Sequence, residues 1–491
     1  MHLNNRNRSR VWKIDVYPGF HGCGSRRAYM SEIIDSLVTR ARAAQEKIEF
    51  WSQERVDEMV AAVGWEVYQL EHAKACARLA ADETGMGVYE HKLAKHQKKT
   101  LGTLRDLCGL KTVGVIEENA QKGLLKIAKP IGVIGALTPV TNATSTIACN
   151  GLPALKCRNA IIFAPHPKAK ASCQLTAEYM RAGLRKVGAP EDLVLNIEEP
   201  TVELSQELMR SVDLVIATGG APLVKVAYSS GKPAYGVGAG NSTVVVDETA
   251  DLKDAATKIR DGKIFDNATS CSSENSVVIQ ESVYDEMVSL LKGLGGHLCT
   301  PEEKAKLKAL MWPDGVHLGR DHVGQHAQKI AKLAGISVAP EVSFLMVESH
   351  EVGLADPFSG EKLSPVLTVW KYKEFEEAIC LVRDITRYSG YGHSCGIHTK
   401  NDEHMLELAT RARVSRVMVR QTQPYGNSGN YDNGMPFGLT LGCGTWGGNI
   451  TNENIHWKHM LNITWVSKPI APVLPDENTI FGAHWAKYGK A

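Results

Sequence analysis

No stretch of the 491-residue chain approaches the ~18 consecutive apolar residues that a membrane-spanning helix needs. Its 56 basic and 54 acidic side chains leave a net charge of only +2, so there is no bulk electrostatic pull toward nucleic acid or an anionic membrane. No Cys-x-x-Cys pair occurs among the 11 irregularly placed cysteines. That argues against a zinc site or a disulfide framework and predicts reduced thiols in a cytoplasm, with no metal centre. Internal repeats and low-complexity tracts are missing as well. What remains is a chain that is 43% apolar, long enough to bury a large core and to divide into two or three lobes.

The charge is uneven. Residues 1–29 carry Arg6, Arg8, Arg10, Lys13, Arg26 and Arg27 against Asp15 alone, a local +5 that leaves about −3 for the rest. This stretch lacks the apolar run of a signal peptide and is expected to be disordered or a non-native extension, an organellar presequence being the alternative. Met30 then opens an amphipathic helix with Ser31 as its expected cap.

Helical spacing continues to about Ala81, and Thr112–Glu118 and Gly123–Pro130 follow as two extended segments. From Ile131 onward, β-branched runs alternate with amphipathic stretches, which predicts an α/β fold built from parallel crossover units. The helix Ala143–Lys156 is expected to kink or break at Pro153. A second alternating half begins at Ser242, and His459–Ser467 alternates like an edge strand. Cys271, Cys395 and Cys443 lie in small-residue turns and are the thiols to weigh for chemistry. Cys76, Cys149, Cys157 and Cys380 sit among apolar or helical neighbours and read as packing.

Cys271 stands in Phe265-Asp266-Asn267-Ala268-Thr269-Ser270-Cys271-Ser272-Ser273-Glu274, between a helical stretch and a strand, where a loop nucleophile would sit. Pro130–Asn142 reads as an apolar strand ending in a polar turn with an amide side chain, and Gly236-Val237-Gly238-Ala239-Gly240-Asn241 is a glycine-rich turn. Thr440-Leu441-Gly442-Cys443-Gly444-Thr445-Trp446-Gly447-Gly448-Asn449 is a second. Together these segments resemble the coenzyme A-acylating branch of the aldehyde dehydrogenase superfamily, over about Met30 to Lys468.

The resemblance implies two Rossmann-type lobes and a β-hairpin oligomerisation arm. Residues 30–111 and 130–240 would form the cofactor-binding domain, 241–435 the catalytic domain, and 112–129 with 455–470 the arm. Residues 436–454 would be a glycine-rich turn segment and 471–491 a C-terminal tail. In hydrolytic relatives a glutamate near the position of Val237 activates the deacylating water. Without that base, an acyl group on Cys271 would await a better nucleophile, coenzyme A.

The resemblance also implies site residues. Asn142 and the Cys271 N–H would hold the oxyanion, Asn142 otherwise being a plain helix cap, and Asn267 would cap or orient the Cys271 loop. Thr138, Pro139, Pro165, Gly219, Gly220 and Gly238 would line the NAD or NADP site, and Glu361 would hold the nicotinamide ribose. Pro167 stands near the place of a ribose-binding glutamate, which favours NADP, with His166 and Lys168 as partners of its 2′-phosphate.

Arg420, Gln421 and Tyr425 would form a donor-rich wall for a small anionic aldehyde, and His393 would assist proton movement or coenzyme A approach. The overall resemblance, including Tyr425-Gly426-Asn427-Ser428-Gly429-Asn430, is strongest to members acting on sulfoacetaldehyde. The alternatives are succinate semialdehyde, hydrolytic turnover, or a non-catalytic scaffold or filament subunit that keeps only the fold. A cytoplasmic homodimer or homotetramer is expected.

Overall fold

A computed structural model describes residues 23–490, with side chains from 32 onward. The expected disorder of the N-terminal stretch therefore lies largely outside the described residues. Four helices open the chain: α1 (Cys23–Ile48), α2 (Gln53–Tyr68), α3 (Leu70–Thr84) and α4 (Tyr89–Leu107). The first already runs at Cys23, so Ser31 lies inside α1 and does not cap it. Arg26, Arg27 and Ala28 are strong helix formers and carry the helix past the expected start.

The antiparallel pair β1 (Gly114–Asn119) and β2 (Leu124–Pro130) stands apart from both lobes. The first lobe follows as β3 (Val133–Thr138), α5 (Ala143–Lys156), β4 (Ala160–Pro165), α6 (Lys170–Lys186), β5 (Val194–Asn196), α7 (Val202–Ser211), β6 (Leu214–Thr218), α8 (Ala221–Tyr228) and β7 (Ala234–Val237). Its parallel strands run in the order β5-β4-β3-β6-β7. Strands β3 and β4 are buried at every position, as the β-branched runs demand of a sheet covered by helices on both faces. The connections reverse direction between β3 and β6, which opens a crevice at the carboxyl ends of those strands. Helix α5 continues unbroken through Pro153, which falls in its last turn.

The second lobe contains β8 (Ser242–Val246), α9 (Leu252–Ile264), β9 (Glu274–Gln280), α10 (Tyr284–Gly293), β10 (Gly296–Leu298), α11 (Pro301–Met311), α12 (Ala327–Leu333), β11 (Phe344–Glu348), β12 (Val366–Tyr372), α13 (Phe375–Tyr388), β13 (Cys395–His398), α14 (Asp402–Arg411), β14 (Val417–Val419) and α15 (Gln423–Gly426). Its seven parallel strands are ordered β10-β11-β12-β9-β8-β13-β14. Finally β15 (Leu461–Ser467) pairs with β2 to complete a three-stranded sheet, and α16 (Glu477–Tyr488) forms a helix where only a tail was expected.

One apolar cluster fills the first lobe and three flank the larger sheet. Cys76, Cys149 and Cys157 are buried as expected, whereas Cys380 is exposed, because its position on α13 faces away from the sheet. The geometry that matters for chemistry is simple. The carboxyl ends of β3 and β6 in the first lobe face the amino ends of β8 and β9 in the second, across one cavity.

Candidate active site

Cys271 lies three residues before β9, at the end of an unusual turn. Asp266, Asn267 and Ala268 all have left-handed backbone, with φ of 50°, 52° and 56°. Non-glycine residues there cost on the order of 1–3 kcal/mol each unless their surroundings impose the conformation. Here they do. The buried Asp266 carboxylate accepts from Lys95 Nζ at 2.5 Å, Lys92 Nζ at 3.3 Å, the Val88 N–H at 2.9 Å and Thr269 Oγ1 at 2.9 Å. Burial pushes this carboxyl up, but the two lysines outweigh it and hold it below the usual range. The Asp266 N–H donates to His91 Nδ1, and Asn267 Nδ2 donates to Gly324 O at 2.9 Å. A Cβ on Gly240 would lie 1.8 Å from the Cys271 carbonyl oxygen, so only glycine lets these two loops meet.

Cys271 Sγ is 3.2 Å from His393 Nε2. Burial, then the nearby Glu361, pushes the thiol up to about 12, while its own backbone N–H favours the thiolate. Burial, then the Arg416 guanidinium, pulls His393 down to about 3. The resting pair is therefore a neutral thiol beside a neutral imidazole. If His393 Nδ1 donates to Ser394 Oγ, 2.8 Å away, Nε2 is left as an acceptor for the thiol proton. Arg416, itself buried, donates to the His393 carbonyl and to Gly442 O, which fixes the histidine's backbone.

Asn142 occupies the cap position of α5, yet its side chain makes no capping bond. Its Oδ1 accepts from Lys95 Nζ at 2.7 Å, and Nδ2 has only a 3.5 Å contact with Thr141 Oγ1. Lys95 thus bonds both Asn142 and Asp266, tying the amide to the nucleophile loop. An amide held by its oxygen presents its N–H groups to any charge developing beside it.

A cavity of about 690 Å³ runs between the lobes and is lined by Asn142, Cys271, Thr138, Pro139, Pro165, His166, Gly219, Gly220, Gly238 and Glu361. The sequence-derived cofactor residues, with Cys271 and Asn142, are brought together there, with Lys168 the exception. Its side chain is exposed outside the cavity, and its backbone N–H donates to His166 Nδ1. Burial, then the charges of Lys168 and of Arg320, which sequence reasoning missed, lower the His166 imidazole's pKa. A glycine pair after β6 opens α8 toward the cavity, an arrangement suited to a pyrophosphate. The chemistry of the lining suits a dinucleotide.

Among the described lining residues Glu361 is the only carboxylate. Its Oε1 accepts from the Gly240 N–H at 3.2 Å, and burial raises it to about 8 despite that bond. The stretch Val237-Gly238-Ala239 beside Cys271 offers no side-chain base.

The expected anion wall needs correction. Because β14 runs parallel to β13, Arg420 follows its carboxyl end and donates to Thr399 O, at the opposite end of β13 from His393. Gln421 is engaged by Asn433 Nδ2, and neither residue lines the cavity. Asn427 is buried and bonded to Gln423. Tyr425 alone returns, lining a second cavity of about 240 Å³ that also touches Asn142, Ser270, Lys95 and Lys98. Cys395 is buried in the sheet core, and Cys443 is buried, bonded to Leu441 O.

Residues 23–295 match the model of the aldehyde dehydrogenase family. The chain is 51% identical to a sulfoacetaldehyde dehydrogenase of an Acholeplasma species, over 92% of this chain and 94% of that protein. It is 46% identical to the acylating sulfoacetaldehyde dehydrogenase of Bilophila wadsworthia, over 93% and 99%. An acetylating aldehyde dehydrogenase from Geobacillus thermoglucosidasius superposes with a TM-score of 0.88 at 35% identity, covering 92% of this chain and 99% of that one. The family match, these identities over nearly the whole chain and the shared fold together show that the chain belongs to the aldehyde dehydrogenase family, in its acylating branch.

Proposed function

We propose that this chain oxidises sulfoacetaldehyde to sulfoacetyl-CoA with NAD(P)+ and coenzyme A. Cys271 Sγ attacks the aldehyde carbon as its proton passes to His393 Nε2. Asn142 Nδ2–H and the Cys271 N–H hold the oxyanion. When bound, the nicotinamide supplies the acceptor for the departing hydride. The acyl group then rests on Cys271 as a thioester. Val237, Gly238 and Ala239 give water no base there, and Glu361 would be engaged at the nicotinamide ribose. A coenzyme A thiolate takes the acyl group and frees Cys271.

The observation that carries this reading is the pairing of Cys271 with His393 beside a cavity in which Glu361, accepting from the Gly240 N–H, is the only carboxylate among the described lining residues. Thr138, Pro139, Pro165, Gly219, Gly220 and Gly238 would hold the dinucleotide, with Glu361 at the nicotinamide ribose. Arg320 and Lys168, both acting electrostatically on His166, favour a 2′-phosphate and hence NADP. The substrate class follows the named activity of the relatives. Val115, Ile463 and Trp465 leave apolar surface exposed on the three-stranded sheet, Trp465 at 57%, which suits pairing with a second copy in a dimer or tetramer. Reduced, unpaired cysteines suit a cytoplasmic enzyme.

The test is NAD(P)H formation from sulfoacetaldehyde with and without coenzyme A, with acyl products identified by mass. Without coenzyme A, one equivalent per active site and then a stall is expected. Sustained turnover to free sulfoacetate would overturn the acylating reading.

A further inference from the structure

We propose that Lys98 on α4 is the cation that receives the anionic head group of the aldehyde. The inference rests on the reading of the chain as acting on a small anionic aldehyde, and it replaces the role expected of Arg420.

The second cavity meets the first at Asn142, which lines both, and it reaches Ser270 beside the nucleophile. It is thus an approach to Cys271 separate from the cofactor's. One wall is α4, from which Lys95, Lys98 and Lys99 all contribute. Two of these ammonium groups are spoken for. Lys95 bonds Asn142 and Asp266, while Lys99 donates to the carbonyls of Ser428 and Gly429.

Lys98 is different. Among the described residues no carboxylate lies within ion-pair distance of it, and its Nζ sits over the rings of Tyr425 at 4.8 Å and Tyr431 at 5.9 Å. It is half-buried, and burial lowers its pKa against the opposing pull of Asp432, which lies beyond ion-pair distance. A partly desolvated ammonium with aromatic faces beside it and no carboxylate within ion-pair distance has unmet demand for an anion. Residues three apart on a helix share one face, so Lys98 stands next to Lys95, which itself touches the amide expected to face the reacting carbonyl. A sulfonate or carboxylate reaching Lys98 would leave its aldehyde carbon toward Asn142 and Cys271.

The experiment measures kcat/KM for sulfoacetaldehyde, succinate semialdehyde and propanal at saturating coenzyme A, on wild type, Lys98→Met and Lys98→Arg. Methionine keeps the apolar stem and removes the charge. A loss of roughly 10- to 100-fold is expected on both anionic aldehydes, with propanal changed by about twofold or less. Arginine should recover part of it. Ethanesulfonate, competing against propanal, should inhibit wild type and lose that affinity in Lys98→Met. Thermal melting identifies a misfolded variant, and Lys98→Gln then takes its place.

Equal losses on all three aldehydes, unchanged sulfoacetaldehyde kinetics, or a rise confined to the KM for coenzyme A would each overturn the assignment. A wild-type preference for propanal would by itself overturn the anionic-aldehyde reading, while the ethanesulfonate competition still decides whether Lys98 binds the anion.

Discussion

At the residue scale, the proposed chemistry depends on two neutral partners, Cys271 and His393, 3.2 Å apart. A preformed thiolate–imidazolium pair would react at a rate nearly independent of pH. Here the thiol is held at about 12 and the imidazole at about 3, so the thiolate fraction rises with every unit across the working range. Alkylation of Cys271 by iodoacetamide in the cofactor-free enzyme is therefore expected to accelerate about tenfold per pH unit between about pH 7 and pH 9. A plateau beginning below about pH 7 would show that the pair is already ionised. For Asn142→Ala, kcat should fall by roughly 10²–10³ with little change in KM, since the amide bonds a charge that appears only during reaction. Steady-state kinetics separate this from a rise in KM alone, which would make Asn142 a shaper of the pocket. Cys271 and Asn142 stood out in the sequence from their motifs. Lys95 and Lys98 did not, because a run such as Lys92–Lys99 reads as a solvated helix face, and the acid that neutralises two of these lysines lies more than 170 positions away.

Elements place those residues. The Asp266–Ala268 turn keeps its left-handed backbone only while α4 supplies Lys92 and Lys95. Asp266→Ala would leave two buried ammonium groups without their partner, at a cost of about 3–5 kcal/mol, and would release the nucleophile loop. Urea unfolding followed together with activity checks this; unchanged stability would mean that the lysines find water instead. Gly240→Ala should abolish turnover while leaving the bulk fold intact by circular dichroism, because its Cβ would displace the Cys271 carbonyl. The alternating strands and helices of the first lobe were readable, being long runs of one periodicity. Arg420 misled because position along the chain says nothing about which end of a parallel sheet a loop occupies. The chain returns toward Cys271 only at Gln423–Tyr425, after Arg420 has already been fixed to Thr399. The elements between Gly296 and Glu348, short and without strong periodicity, escaped notice for the same lack of signal.

On the scale of the whole molecule, the active cavity belongs to neither lobe alone. Thr138 and Gly219 come from one side, Cys271 and Glu361 from the other, and the charge of Arg320 is felt at His166. A dinucleotide bridging them should stabilise the native state by about 2.7 kcal/mol at one hundred times its Kd. Thermal melts with NADP+ and NAD+ test this, and in Arg320→Met the shift should shrink more for NADP+ than for NAD+. Equal shrinkage would remove the 2′-phosphate role. The two-lobed α/β plan was visible in the sequence, whereas the interlobe contacts were not, since they join residues whose local patterns are independent. The ion cluster at Asp266 also has a consequence in time. During synthesis, Lys92 and Lys95 leave the ribosome 174 and 171 residues ahead of the aspartate they will bind. At translation speeds of about 5–20 residues per second, the young first lobe spends roughly 9–35 s before the aspartate that binds both lysines is made. The nucleophile is made five residues after that aspartate, so its reactive geometry can arise only once the later half of the chain has been delivered and has docked.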